Sequence, residues 1–319
     1  MHAIKVEKGG LNLRKKIIAA VILGAVALSL IFAVIRQGGS DFAGSASGGG
    51  EVGVIYIEGV IAGGTGSGGL FGSRGGAESI ASLLRQASRD PGLKAVVIRL
   101  NSPGGTPAAS QEIEAEIKRL KESGKKVVAS LGDVAASGAY WVAAGADRIV
   151  ANPGTITGSI GVIMETTNLE GLYDKIGVSP QTYKSGPYKD MGSSSRPATA
   201  EERAIFQSMI DDVYEQFIET VARGRHKDAS EIKTLADGRV YTGRQARELD
   251  LVDSLGGFHD AVLLAGELAG IEGEPSIVNI GPKNFWADVL GGAGVGSLWN
   301  SGWFTLPGEL DRVYSLNLR

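Results

Sequence analysis

The chain has 319 residues, 43% hydrophobic and 21% charged, an ordinary globular composition that excludes disorder throughout. It has no Cys, which excludes disulfide frameworks, thiolate metal sites and cysteine nucleophiles, and its three His are too few for most imidazole-built metal sites. The net charge of −3 is split, +5 over residues 1–36 and −8 over the rest, and an acidic body argues against nucleic acid as a partner.

Ile17 to Ile35 is a run of nineteen residues without a charge. At a rise of ~1.5 Å per residue it predicts a transmembrane helix matching a hydrocarbon core of ~30 Å. Arg14, Lys15 and Lys16 precede it and only Arg36 follows. Positive charge stays cytoplasmic, which predicts residues 1–16 inside, a signal-anchor over 17–35 and the body on the extracytoplasmic side of the cell membrane. Cleavage after the segment, near the small residues 43–47, is the competing reading, and a buried core helix is the third. Residues 36–51, rich in Gly, Ser and Ala, predict a flexible linker.

The body, residues 52–272, alternates in pattern. Strands are predicted over Val52–Ile57, Ala95–Leu100, Val127–Leu131, Arg148–Ala151 and Gly161–Met164. Helices are predicted over Ala77–Ala87, Ala108–Lys121, Ser137–Ala146, Glu201–Arg223, Ser230–Leu235, Gly243–Leu249 and Phe258–Leu268. Thr199 with Glu202 three residues on fits a capping box for the longest of these. This alternation predicts parallel β-α-β units, hence an α/β fold. The G-x-G-x-x-G within Gly64–Gly69 opens no helix at once and reads as a loop rather than a dinucleotide fingerprint. The tail, residues 273–319, carries three of the four Trp and shows no clear period, so its role is left open.

Chemistry concentrates in four stretches. Asn101-Ser-Pro-Gly104-Gly105 follows a strand and precedes a helix, where bare backbone N–H groups can approach a ligand or an oxyanion. Ala135-Ala136-Ser137-Gly138 repeats that arrangement, with Ser137 at a helix start, either as a cap or as a nucleophile. Ser159 lies in Thr157-Gly-Ser-Ile-Gly161, by itself a turn serine. A serine nucleophile needs a base. His226 and His259 read as ordinary surface histidines, which leaves lysine, with Lys184 and Lys189 in the dense segment Tyr183–Met191.

Taken together and in this order, the stretches resemble the S49 serine peptidases, the signal peptide peptidase family in its short form. The likeness covers about residues 52–270 and extends to Gly238-Arg-Val-Tyr-Thr-Gly243 and Leu251-Val-Asp253. The resemblance implies a crotonase-like (ClpP/crotonase) fold of repeated β-β-α units. It implies Ser137 as nucleophile, Lys189 as general base, Ser159 as a hydroxyl that positions the lysine amine, and the N–H groups of Gly104 and Gly138 as the oxyanion hole. It implies no cofactor and no metal. It implies peptide substrates such as cleaved signal peptides, and a homo-oligomer in which serine and lysine can come from different subunits. A crotonase-type acyl-CoA hydratase or isomerase shares the fold class and an oxyanion hole, and is the first rival. A non-catalytic scaffold on the same fold and a Ser/Lys peptidase for one specific membrane protein are the others.

Overall fold

The computed structural model describes residues 51–65 and 76–281. The expected span 17–35, the linker, most of the Gly-rich loop and the tail beyond 281 lie outside them. Among the described residues no helix is long and apolar enough to cross a membrane.

The body is built on one eight-stranded sheet. Its main path runs β6 (Val240–Thr242), β5 (Ile156–Gly158), β3 (Lys126–Ala136), β2 (Ala95–Ser102), β1 (Val52–Glu58) and β8 (Ile277–Asn279). β4 (Arg148–Ala151) also pairs with β3, and β7 (Ser254–Leu255) extends it. Every pairing is parallel except β5 with β6.

Both faces of the central strands are covered, which is why they read as near-continuous apolar runs. Ile55, Ile57, Ile98, Leu100, Ala129 and Leu131 face helices α1 (Ala77–Arg89), α2 (Pro107–Glu122) and α3 (Gly138–Ala144) in the larger core. Val54, Val97, Val128 and Val150 form a second core with Ala261, Val262 and Ala265 of α8 (Phe258–Leu268). Between them in sequence lie α4 (Glu170–Ile176), α5 (Ala200–Arg225), α6 (Ala229–Leu235) and α7 (Gly243–Glu248).

The first three units share a plan: a strand, a bend, a short extended piece, then a helix. The short pieces pair with one another, Ile61 with Gly105, Ser102 with Ala135 and Ala136 with Gly158. In β3 the bend is a bulge. Leu131 pairs with Leu100 and Ala135 with Ser102, so three residues of β3 stand against one of β2. Asn101 Oδ1 accepts the Val134 N–H at 3.2 Å and closes the gap. The bulge turns β3 from its partner β4 to its partner β5.

The structure departs from the sequence expectations in four places. β3 runs five residues past Leu131, because the bulge spoils its alternation. The strand expected over Gly161–Met164 is absent, and β5 forms earlier, at Ile156–Gly158. Helix α4 was not expected, since it buries no residue and so shows no apolar stripe. β6, β7 and β8 are two or three residues long, too short for periodicity to reveal.

Candidate active site

The β3 to α3 junction carries Ser137. Its φ of 54° and ψ of −124° are strained for a residue with a Cβ. The residue stands at the N-cap position of α3, yet its side chain makes no capping hydrogen bond. The hydroxyl therefore does not serve the helix, and it has no hydrogen-bond partner among the described residues. The backbone is pinned instead: Ser137 N–H donates to Gly158 O at 2.8 Å, and Trp141 N–H to Ser137 O at 2.9 Å. Below the serine, Thr157 Oγ1 donates to Ala135 O and Thr155 Oγ1 to Gly132 O, both at 2.7 Å, clipping β5 to the bent half of β3.

Ser159 continues the same register. Ala136 pairs with Gly158, so Ser137 and Ser159 are the residues that follow the paired ends of β3 and β5. Ser159 also has positive φ, 50°, and its N–H donates to Arg239 O at 2.8 Å. Two strained serines side by side, both half-buried, mark this end of the sheet.

The Pro103-Gly104-Gly105 turn closes over the junction. Gly104 has φ +103°, and a Cβ there would lie 2.7 Å from Gly138 N and 2.9 Å from Ser137 Cβ. Only glycine lets the turn sit this close to the serine. The two glycines present their amides differently. Gly104 N–H donates to the buried Ser102 Oγ at 3.1 Å, and Gly104 O accepts from Ile61 N–H at 2.9 Å. Gly105 N–H has no partner among the described residues and lies 3.1 Å from where a Cβ on Gly138 would stand. Gly138 N–H, at the first position of α3, is likewise unbonded there. The pair of free amides beside Ser137 is thus Gly105 with Gly138. The resemblance implies Gly104 as the donor, and in this structure its N–H is taken up by Ser102 Oγ.

Lys189 stands elsewhere. It lies exposed in a series of turns, with its own N–H on Gly186 O at 3.3 Å. Its amine makes no hydrogen bond or ion pair with any described residue. Lys184 differs: its amine donates to Asp190 Oδ1 at 2.7 Å and to Pro187 O at 3.0 Å. Arg196 and Lys184 together hold the Asp190 carboxyl well below the usual carboxylate range. His226 and His259 are exposed at helix ends, with His226 closing α5 in a left-handed conformation. The structure thus gathers Ser137, Ser159, Gly104 and Gly138 at one junction. Lys189 is carried on a separate, exposed segment.

The family model described as Peptidase family S49 matches residues 119–272, a stretch that holds Ser137, Ser159 and Lys189. A Synechocystis protein described as a protease is 52% identical over 178 residues, covering 56% of this chain and 64% of its own. A protein of Enterococcus faecium described as a signal peptide peptidase is 39% identical over 209 residues, covering 65% of this chain and 60% of its own. Protease 4 of Salmonella typhi is 40% identical over 224 residues, covering 70% of this chain and 35% of its own. The chain spans less than two thirds of the length of each of these relatives. On these matches, residues 119–272, just under half of the chain, are similar to peptidase family S49.

Proposed function

We propose that the chain is a membrane-anchored serine endopeptidase with a Ser137/Lys189 dyad on a crotonase-like body. The observation that carries this reading is the strained Ser137 of the S49 segment, its hydroxyl without a partner among the described residues, beside two unbonded backbone amides, that of Gly138 and that of Gly105.

The reaction is acyl transfer. Lys189 in its neutral form takes the Ser137 proton as Oγ attacks a peptide carbonyl. The Gly138 N–H and a donor from the Gly104-Gly105 turn hold the oxyanion, a term worth ~2.7–4 kcal/mol per donor in comparable sites. Lys189 returns the proton to the leaving amine. Water then cleaves the ester with the lysine again as base. Ser159, next to Ser137 in register, orients the amine. Between the two lysines, Lys189 suits the role because its amine is uncommitted among the described residues, whereas Lys184 is bound to Asp190.

A homo-oligomer completes the site in this reading. The segment that carries Lys189 exposes large apolar side chains, among them Ile163 at 80%, Tyr183 at 94% and Ile176 at 61%. Exposed apolar surface of this kind marks a contact with another molecule. A neighbouring subunit covering it would bring Lys189 of one copy to Ser137 of another. Residues 17–35 anchor the chain in the cell membrane, and the substrates are unfolded apolar peptides such as cleaved signal peptides, in keeping with the description of the Enterococcus faecium relative as a signal peptide peptidase.

The test is hydrolysis of a fluorogenic peptide with an apolar residue before the scissile bond. Wild type should cleave best above pH 7, since only the neutral amine accepts a proton. Ser137→Ala and Lys189→Ala should each be inert alone, and mixing the two inert proteins should restore part of the activity. Full activity of Lys189→Ala would refute the dyad. Two inert variants that stay inert on mixing would place serine and lysine within one subunit.

A further inference from the structure

No residue from 161 to 200 is buried, so the segment that carries Lys189 has no hydrophobic core of its own. Leu169 N–H on Ser194 O at 2.7 Å ties its two ends together, but no residue of the turn at 186–191 is buried. An ionic chain does. It starts at Glu202, only 1% exposed, in the first turn of α5. Glu202 closes the capping box there, with Oε2 accepting Thr199 N–H at 2.9 Å. Its two oxygens also accept from Arg196 Nη1 at 2.9 Å and Nη2 at 2.5 Å. Arg196 turns its other edge to Asp190, with Nε on Oδ2 at 2.9 Å and Nη2 on Oδ1 at 2.8 Å. Asp190 Oδ1 accepts in turn from Lys184, whose amine reaches back to Pro187 O.

The fork of Arg196 is therefore used on both sides, a two-faced bidentate clasp that fixes direction as well as distance. One end is a buried carboxylate at a rigid helix start. The other is the residue next to Lys189. From this geometry we propose that Asp190 is a positioning residue: clasped by Arg196 to the start of α5, it sets where the Lys189 amine is presented to the nucleophile. The inference rests on Lys189 being the general base. Lys184, on this view, belongs to the clasp and not to the chemistry.

The experiment compares Asp190→Asn, Arg196→Lys and Lys189→Ala in the full-length chain, with kcat and KM on the fluorogenic peptide. Asp190→Asn should lower kcat at least tenfold and leave KM within twofold, and Arg196→Lys, which keeps the charge but loses the fork, should lose less. Lys189→Ala is then measured with and without ethylamine as a diffusible base. Adding Asp190→Asn to it should cause no further loss, since no lysine remains to be positioned. An Asp190→Asn enzyme as active as wild type overturns the proposal. So does an equal loss in the Lys189→Ala background, which would mean a general effect on the fold. Should Asp190→Asn fail to fold, Asp190→Glu takes its place: a reduced kcat at unchanged melting temperature supports positioning, and wild-type kcat overturns it. Full activity of Lys189→Ala refutes the base assignment and this inference together. An inert Lys189→Ala beside a normal Asp190→Asn refutes this inference alone.

Discussion

Gly104 shows how narrowly the junction is specified at the scale of one residue. Its φ of +103° disfavours any L side chain, and a methyl there would press on Gly138 N at 2.7 Å and Ala136 O at 2.8 Å, both backbone atoms. Gly104→Ala should therefore cost ~1–3 kcal/mol in strain and displace the amides from the serine. Peptide hydrolysis should fall ~100-fold or more, the scale of losing one oxyanion donor, while the circular dichroism spectrum stays native. Ser102→Ala asks a different question. It removes the acceptor of Gly104 N–H, leaving a buried donor unpaired at a cost of ~1–3 kcal/mol. If Gly105 supplies the oxyanion donor, kcat should change less than stability does.

Among the elements, α3 and α5 carry the most weight for the site. Every residue of α3 is buried, and its small side chains let neighbours come close. Gly224 of α5 sits where a Cβ would lie 1.9 Å from Ala144 O. Trp141 stacks on Phe217 with ring centroids 4.5 Å apart. Phe217→Ala should destabilise by ~3–5 kcal/mol, read as the shift in urea midpoint, and loosen the helix that follows Ser137. The start of α5 has its own pH signature. Arg196, and then the Thr199 N–H, lower the pKa of Glu202 to about 2. A depressed carboxyl pKa stabilises above the unfolded value and ceases to do so as pH falls through the folded one. The clasp should therefore persist from neutral pH down to ~4 and fail between there and pH 2. Amide exchange over 184–202 measured from pH 7 to pH 2 checks this. An activity decline between pH 8 and 6 would therefore not come from the clasp.

At the scale of the whole molecule, the exposed apolar segment and the uncommitted Lys189 make one prediction. If serine and lysine meet across subunits, specific activity should fall on dilution in step with dissociation seen by sedimentation velocity. Activity independent of concentration across a measured monomer–oligomer transition would mean that each subunit is complete.

The sequence by itself determined the alternation of apolar strands and helices, the capping box at Thr199 and Glu202, and the order of the chemical stretches, because each depends on residues near one another in the chain. Tertiary structure decided the rest. Which of two adjacent glycine amides is free depends on Ser102 and Ile61 contacting that turn. The length of β3 depends on a bulge that local alternation cannot show. That Ser137 and Ser159 each follow the last paired residue of neighbouring strands needs the parallel register of β3 and β5, set by contacts 22 residues apart in sequence. The clasp at Asp190 is legible only when Arg196 is seen bonded on both edges, since charge spacing alone does not say which acid an arginine chooses.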